Sequence, residues 1–138
     1  MLANRSMPSS TVIPVLPYPD IIAAIDWLTG AFGFTLRLQI ATHRAQLNAG
    51  DGAVVLTHNP SFKESSPTGY SVMIRVDDVD AHHNRAIQYQ ARILSPPCDH
   101  PYGERQYTVA DLAGHIWTFS QSISDVDPRE WGGTPAAL

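Results

Sequence analysis

The 138 residues, 43 % hydrophobic and 16 % charged, suit one globular domain rather than a disordered segment. A net charge of −4 with only nine Lys and Arg excludes the basic stripe that nucleic acid requires, and no run of about 18 apolar residues is present to span a membrane. The lone Cys98 excludes an internal disulfide, and "MLANRSMPSS" has no apolar signal core, so a cytoplasmic protein is expected.

After an N-terminal arm, residues 1–10, the segment "TVIPVLP" (11–17) reads as a strand. Pro14 and Pro17 make it an edge strand or one with unpaired positions, because proline cannot donate to a ladder. Asp20 is placed to cap a helix, "DIIAAIDWLTGAFG", with Ile21, Ile25, Leu28 and Phe32 at helical spacing and Gly33 as its stop. Three strands follow, "FTLRLQI", "HRAQLNA" and "AVVLTH", joined by hairpin turns, the second at Asp51-Gly52. "NPSFKESSPTG" is a loop. The order then repeats: "YSVMIRV" as a strand, Asp78 capping "DVDAHHNRAIQYQA" with Val79, Ala86 and Ile87 inward, then "RIL", "ERQYTVA" and "HIWTFSQ" as strands. A polar tail, 122–138, carries Trp131 as its one large apolar anchor.

The predicted organisation is βαβββ twice, an α+β fold with modules at 11–58 and 70–121 joined by a linker, 59–69, in a single domain over 11–121. A repeat of this size implies two equivalent units burying a shared core, each a curved, mostly antiparallel sheet with a helix on its convex face and a cavity left on the concave side. The stretches "VIPVLPYPDIIAAIDWLTGAFGF", "HRAQLNAGDGAVVLTH" and "YGERQYTVADLAGHIWTFSQ", in that order, resemble the vicinal oxygen chelate superfamily: glyoxalase I, bleomycin-resistance proteins and extradiol dioxygenases. Their nearest likeness is to its PhnB-like branch.

That resemblance implies where a metal would sit. Metal-dependent members take one His, Gln or Glu ligand from the first and one from the last strand of each module. Those positions fall here on Ile13, Val55, Ser71 and Thr118. Ile and Val have no lone pair, and Ser and Thr hydroxyls are weak neutral ligands, so no metal and no other cofactor is expected. Strand alternation sends His115 to the helix side with Trp117 and Phe119. His43 and His58 go to the helix side of the first module, while His82 and His83 read as surface residues of the second helix. Cys98, Asp99 and His100 fall in a loop and, being adjacent, do not converge on one ion.

The same alternation assigns the cavity lining. Ala45, Leu47, Val54 and Leu56 group on the helix side, which leaves Arg44, Gln46, Asn48 and Val55 on the cavity side. In the second module Ser71, Met73 and Arg75 face inward, and pairing across "DLAG" puts Arg105 and Tyr107 on the same face as Thr118 and Ser120. Apolar walls with a few placed donors are what ligand pockets use. The arginines point to an anionic or carbonyl-rich ligand, unless rim carboxylates pair with them. Tyr107 suits a hydrogen-bond donor better than a general acid.

A metal-independent small-molecule binding protein, for an antibiotic or a metabolite, is therefore the expected function. A glyoxalase-type lyase or isomerase, with a displaced metal or none, and a non-catalytic accessory module are the alternatives. The resemblance also implies a homodimer, with the arm and the Trp131 tail as interface pieces.

Overall fold

The computed structural model describes residues 1–63 and 69–136. The middle of the predicted 59–69 linker lies outside these residues. The observed elements are β1 (Val15–Tyr18), α1 (Ile21–Phe32), β2 (Thr35–Ile40), β3 (Arg44–Ala49) and β4 (Gly52–His58), then β5 (Val72–Arg75), α2 (Val79–Gln88), β6 (Arg92–Asp99), β7 (Glu104–Ala110) and β8 (Ile116–Ser122). Each βαβββ unit forms a four-stranded mixed sheet, ordered β1-β4-β3-β2 and β5-β8-β7-β6. The first strand of each is a parallel edge strand, as the prolines require of β1. Asp20 and Asp78 cap the helices by accepting from the Ala23 and Ala81 amides, both at 3.0 Å, and Gly33 ends α1 in the left-handed region.

Some boundaries differ from the sequence reading for local reasons. The β3–β4 turn is at Gly50-Asp51, one residue earlier, with Gly50 at φ 61°. Strand β6 runs on through Pro96, Pro97 and Cys98 to Asp99, where a loop was expected. It is an edge strand, and register shifts after Ile93 and Ser95 accommodate the prolines. Ile87 is 48 % exposed; only Val79 and Ala86 of α2 are buried.

The two modules meet through their helix sides. Phe32 lies edge-on to Phe119 at 4.8 Å between ring centroids, Phe34 contacts Trp117 at 5.5 Å, and Tyr18 meets His115 at 4.8 Å. Polar bonds stitch the same seam. Arg85 donates to the Gly30 and Thr29 carbonyls, which places a cation at the C-terminal end of α1, and the Trp27 indole donates to the Tyr89 carbonyl. Asp111 is the buried anchor: its carboxylate accepts from the Ala113 and His115 amides, the Trp117 indole and the Tyr18 hydroxyl, the last at 2.6 Å from the other module. Burial first, and then the Asp111 charge, raise the Tyr18 phenol well above its ordinary pKa, so it stays a donor. The helix side of each sheet is thus consumed in one core, and the opposite face of each carries no helix.

Candidate functional site

On the second sheet, the register pairs Met73 with Thr118 and Arg75 with Ser120, and across the hairpin Thr108 with Thr118 and Gln106 with Ser120. These side chains share the helix-free face. Its hollow, about 280 Å³, is lined by Met73, Arg75, Glu104 and Ser120. The Ser120 hydroxyl donates to Glu104 at 2.7 Å and accepts from Gln106 at 3.0 Å, while Arg75 donates to the Ser122 hydroxyl at 2.7 Å. The hydrogen bond from Ser122 holds the Glu104 carboxyl below its usual range against the opposing cost of desolvation, with lesser help from Ser120 and the Arg75 charge. Glu104 is therefore ionised at neutral pH. Arg75 is exposed and uses one of its five N–H groups on Ser122, so it keeps donors for a ligand. A cation, an anion, a thioether and a hydroxyl converge on one small hollow.

The same face carries two of the positions where the superfamily's metal would be held. Thr118 donates to Ser71 at 3.3 Å and is 3.3 Å from the Thr108 hydroxyl, so these oxygens are spent on one another. In the first module the corresponding residues are the apolar Ile13 and Val55. Among the described residues no three His, Cys, Asp or Glu side chains come together. The donor set does not fit a divalent ion, and no step is derived through one.

The first sheet places Arg44, Gln46, Asn48 and Val55 on its helix-free face, Gln46 opposite Val55 and Arg44 opposite Thr57. Gln46 and Val55 are nonetheless 3 % and 1 % exposed, and the N-terminal arm reaches Gln46 through the Ser6 carbonyl. A bulge between Leu36 and Leu38 lets Arg37 reach across this face to Gln46. The sequence reading assigns no faces to β2, although alternation from the core-side Leu36 puts Arg37 on this face.

Two predicted lining residues belong elsewhere. Tyr107 pairs with Phe119 and is 1 % exposed on the helix side, where its hydroxyl bonds His82 Nδ1; burial raises its pKa. Arg105 shares that side and bridges Asp99 of β6, at 2.9 Å, to Asp80 of α2, at 3.1 Å. The cause is loop length. The β7–β8 connection spans five residues, Asp111–His115, closed by an Asp111 amide to His115 carbonyl bond with Gly114 at φ 88°; counting four inverted every β7 side chain. The true occupants, Glu104 and Gln106, were recoverable from the odd count.

Two histidines pack into the core and the seam, whereas His43 and His58, expected on the helix side, are exposed at the end of the first sheet. His115 is 2 % exposed, with Nε2 at 2.6 Å from the Pro17 carbonyl and Nδ1 at 3.2 Å from the Tyr70 hydroxyl. His82, expected at the surface, sits in the inter-module seam. It donates from Nε2 to the Phe32 carbonyl at 3.0 Å and accepts at Nδ1 from Tyr107. Burial lowers its pKa to about 4.

Comparison with known proteins fits this geometry. The family model described as "Glyoxalase/Bleomycin resistance protein/Dioxygenase superfamily" matches residues 11–119. TioX from Micromonospora sp. ML1 is 34 % identical at a TM-score of 0.69, over 86 % of this chain and all of TioX. An uncharacterized protein of Mycobacterium bovis is 33 % identical over 131 residues, 85 % of this chain and 86 % of that protein. The fosfomycin resistance protein FosX of Listeria monocytogenes shares the fold at a TM-score of 0.67 with 14 % identity, over 83 % and 94 % of the two chains.

Proposed function

The chain belongs to the Glyoxalase/Bleomycin resistance protein/Dioxygenase superfamily, and from that premise we propose that it is a small-molecule binding protein that works without the superfamily's metal. The observation that carries this is the hollow on the second sheet, where Arg75 and Glu104 flank Met73 and Ser120 on an open face. Its ligand is an antibiotic or metabolite with an acceptor for Arg75 and a donor for Glu104, joined by an apolar part that lies on Met73. A thermal-shift screen of small molecules against the wild type and Arg75→Met tests it. Stabilisation of the wild type that is lost in Arg75→Met supports the reading. No stabilisation at millimolar ligand sinks it, as does a stoichiometric divalent ion, by elemental analysis, that the ligand requires.

The ligand site is completed by a second copy. One four-stranded sheet presents a face and cannot enclose a ligand, whereas pockets bury most of theirs. Val15 and Met73, on the edge strands of the two sheets, are 55 % and 59 % exposed, and a partner would cover them. Light scattering at micromolar concentration should give twice the chain mass; a monomer mass overturns the dimer.

A further inference from the structure

The N-terminal arm is bound to the first sheet in a way that resembles a ligand more than a structural element. Arg37 Nη2 donates to the Arg5 carbonyl at 3.1 Å and the Met7 carbonyl at 2.9 Å, and Gln46 Nε2 donates to the Ser6 carbonyl at 2.9 Å. Two side chains thus read three successive carbonyls, and a bond from Arg37 to Gln46 Oε1 fixes both. Pro8 is buried beside them. Among the described residues the arm joins no strand ladder. Its own backbone closes on itself, with the Met7 amide on the Asn4 carbonyl and the Ser6 amide on the Asn4 side chain.

The fit also carries costs. Among the described residues the Ser10 hydroxyl is buried without a protein partner, a desolvation penalty that release of the arm would relieve. Arg37 meets only uncharged oxygens, although a guanidinium binds ionised acceptors more strongly. An arm held by side chains, and carrying an unpaired buried hydroxyl of its own, is suited to displacement.

We propose that the helix-free face of the first sheet is a second binding site, specific for a peptide turn presenting successive amide carbonyls to Arg37 and Gln46, and that the N-terminal arm occupies it in cis as a competitor. The proposal extends the binding reading from the second sheet to the first, but its test is separate.

The test uses the full chain and a fluorescent peptide with the sequence of residues 1–10. Pro8→Lys places a second cation beside Arg37 and should release the arm. The peptide should then bind Pro8→Lys at least 10-fold more tightly than wild type, and Pro8→Lys with Arg37→Met should lose that gain. In the otherwise unaltered chain, Arg37→Met should speed tryptic cleavage after Arg5 at least 10-fold without lowering the thermal midpoint by more than a few degrees. Pro8→Gly serves with the same criteria if Pro8→Lys fails to fold. Equal peptide binding by wild type and the released variant overturns the proposal, as does absent binding by a folded released variant or unchanged cleavage in Arg37→Met. Ligand binding at Arg75 is read on the other sheet, so the two readings fail independently.

Discussion

The helix-free faces of the two sheets share a frame and differ in contents. On the first, Gln46 and Val55 are buried, and the chain's own arm reaches Gln46. On the second, Met73 and Arg75 stand exposed, and an ionised glutamate is tied to two serines. The helix sides show no such divergence: both are apolar and aromatic, because both must close the same core. Duplication has kept what the core demands and freed what it does not. The two faces therefore differ in state, one covered by the arm and one open.

The comparison depends on the seam that holds the modules together, and the largest effect should come from breaking it. Asp111→Ala strands the Tyr18 hydroxyl, the Trp117 indole and two amides in the core, and should cost about 4 kcal/mol by chemical denaturation. A loss under 1 kcal/mol would show that the seam does not set the relation of the two faces.

Acid should weaken the same seam more gently. The folded-state pKa of His82, about 4, lies below the ordinary 6.5, so the unfolded chain binds more protons between those values. The stabilisation is complete above pH 6.5 and is lost as pH falls toward 4. After a discount for the ring's partial exposure it amounts to roughly 2 kcal/mol, seen as a fall of several degrees in thermal midpoint. His82→Gln should flatten that part of the profile; an unchanged slope would remove His82 from the account.

A smaller effect separates the faces directly. Arg75→Met should weaken binding of a ligand found by screening about 10-fold, or about 1.4 kcal/mol, with the thermal midpoint of the free protein unchanged. Arg44→Met, on the covered face, should leave that affinity within twofold. Equal losses from both substitutions would mean one shared site. The smallest change is expected of Glu104→Gln, which keeps the acceptor for Ser120 and removes a charge at a half-buried position: about 0.5 kcal/mol of stability, with altered preference between neutral and cationic ligands. Identical preference would take Glu104 out of ligand recognition.

Much of this was legible in the chain. Asp20 and Asp78 announced two helices in equivalent places, the prolines near residues 14–17 announced an edge strand, and alternation placed Leu47, Val54, His115 and Trp117 on the core side, where they lie. The parts that escaped have different causes. Arg37 lies on the face that alternation from Leu36 gives it, but β2 was assigned no faces, whereas Glu104 was lost to a five-residue connection counted as four. In β7 a single residue changes which way the strand faces, and period-2 reasoning carries the error along the whole strand.

By itself, then, the sequence determined the βαβββ repeat, the helix caps, the apolar sides of both sheets and the absence of ligand-type residues at Ile13, Val55, Ser71 and Thr118. These are local matters of propensity, period and side-chain chemistry. Only the tertiary structure decided which side of β7 faces the hollow, because the length of its turn is set by Asp111, and Asp111 is held in part by Tyr18, 93 residues away. Only the tertiary structure, likewise, put the arm on one face and left the other open, since Arg37 and Gln46 meet the Arg5, Ser6 and Met7 carbonyls across roughly 30 to 40 residues of chain that no local pattern spans.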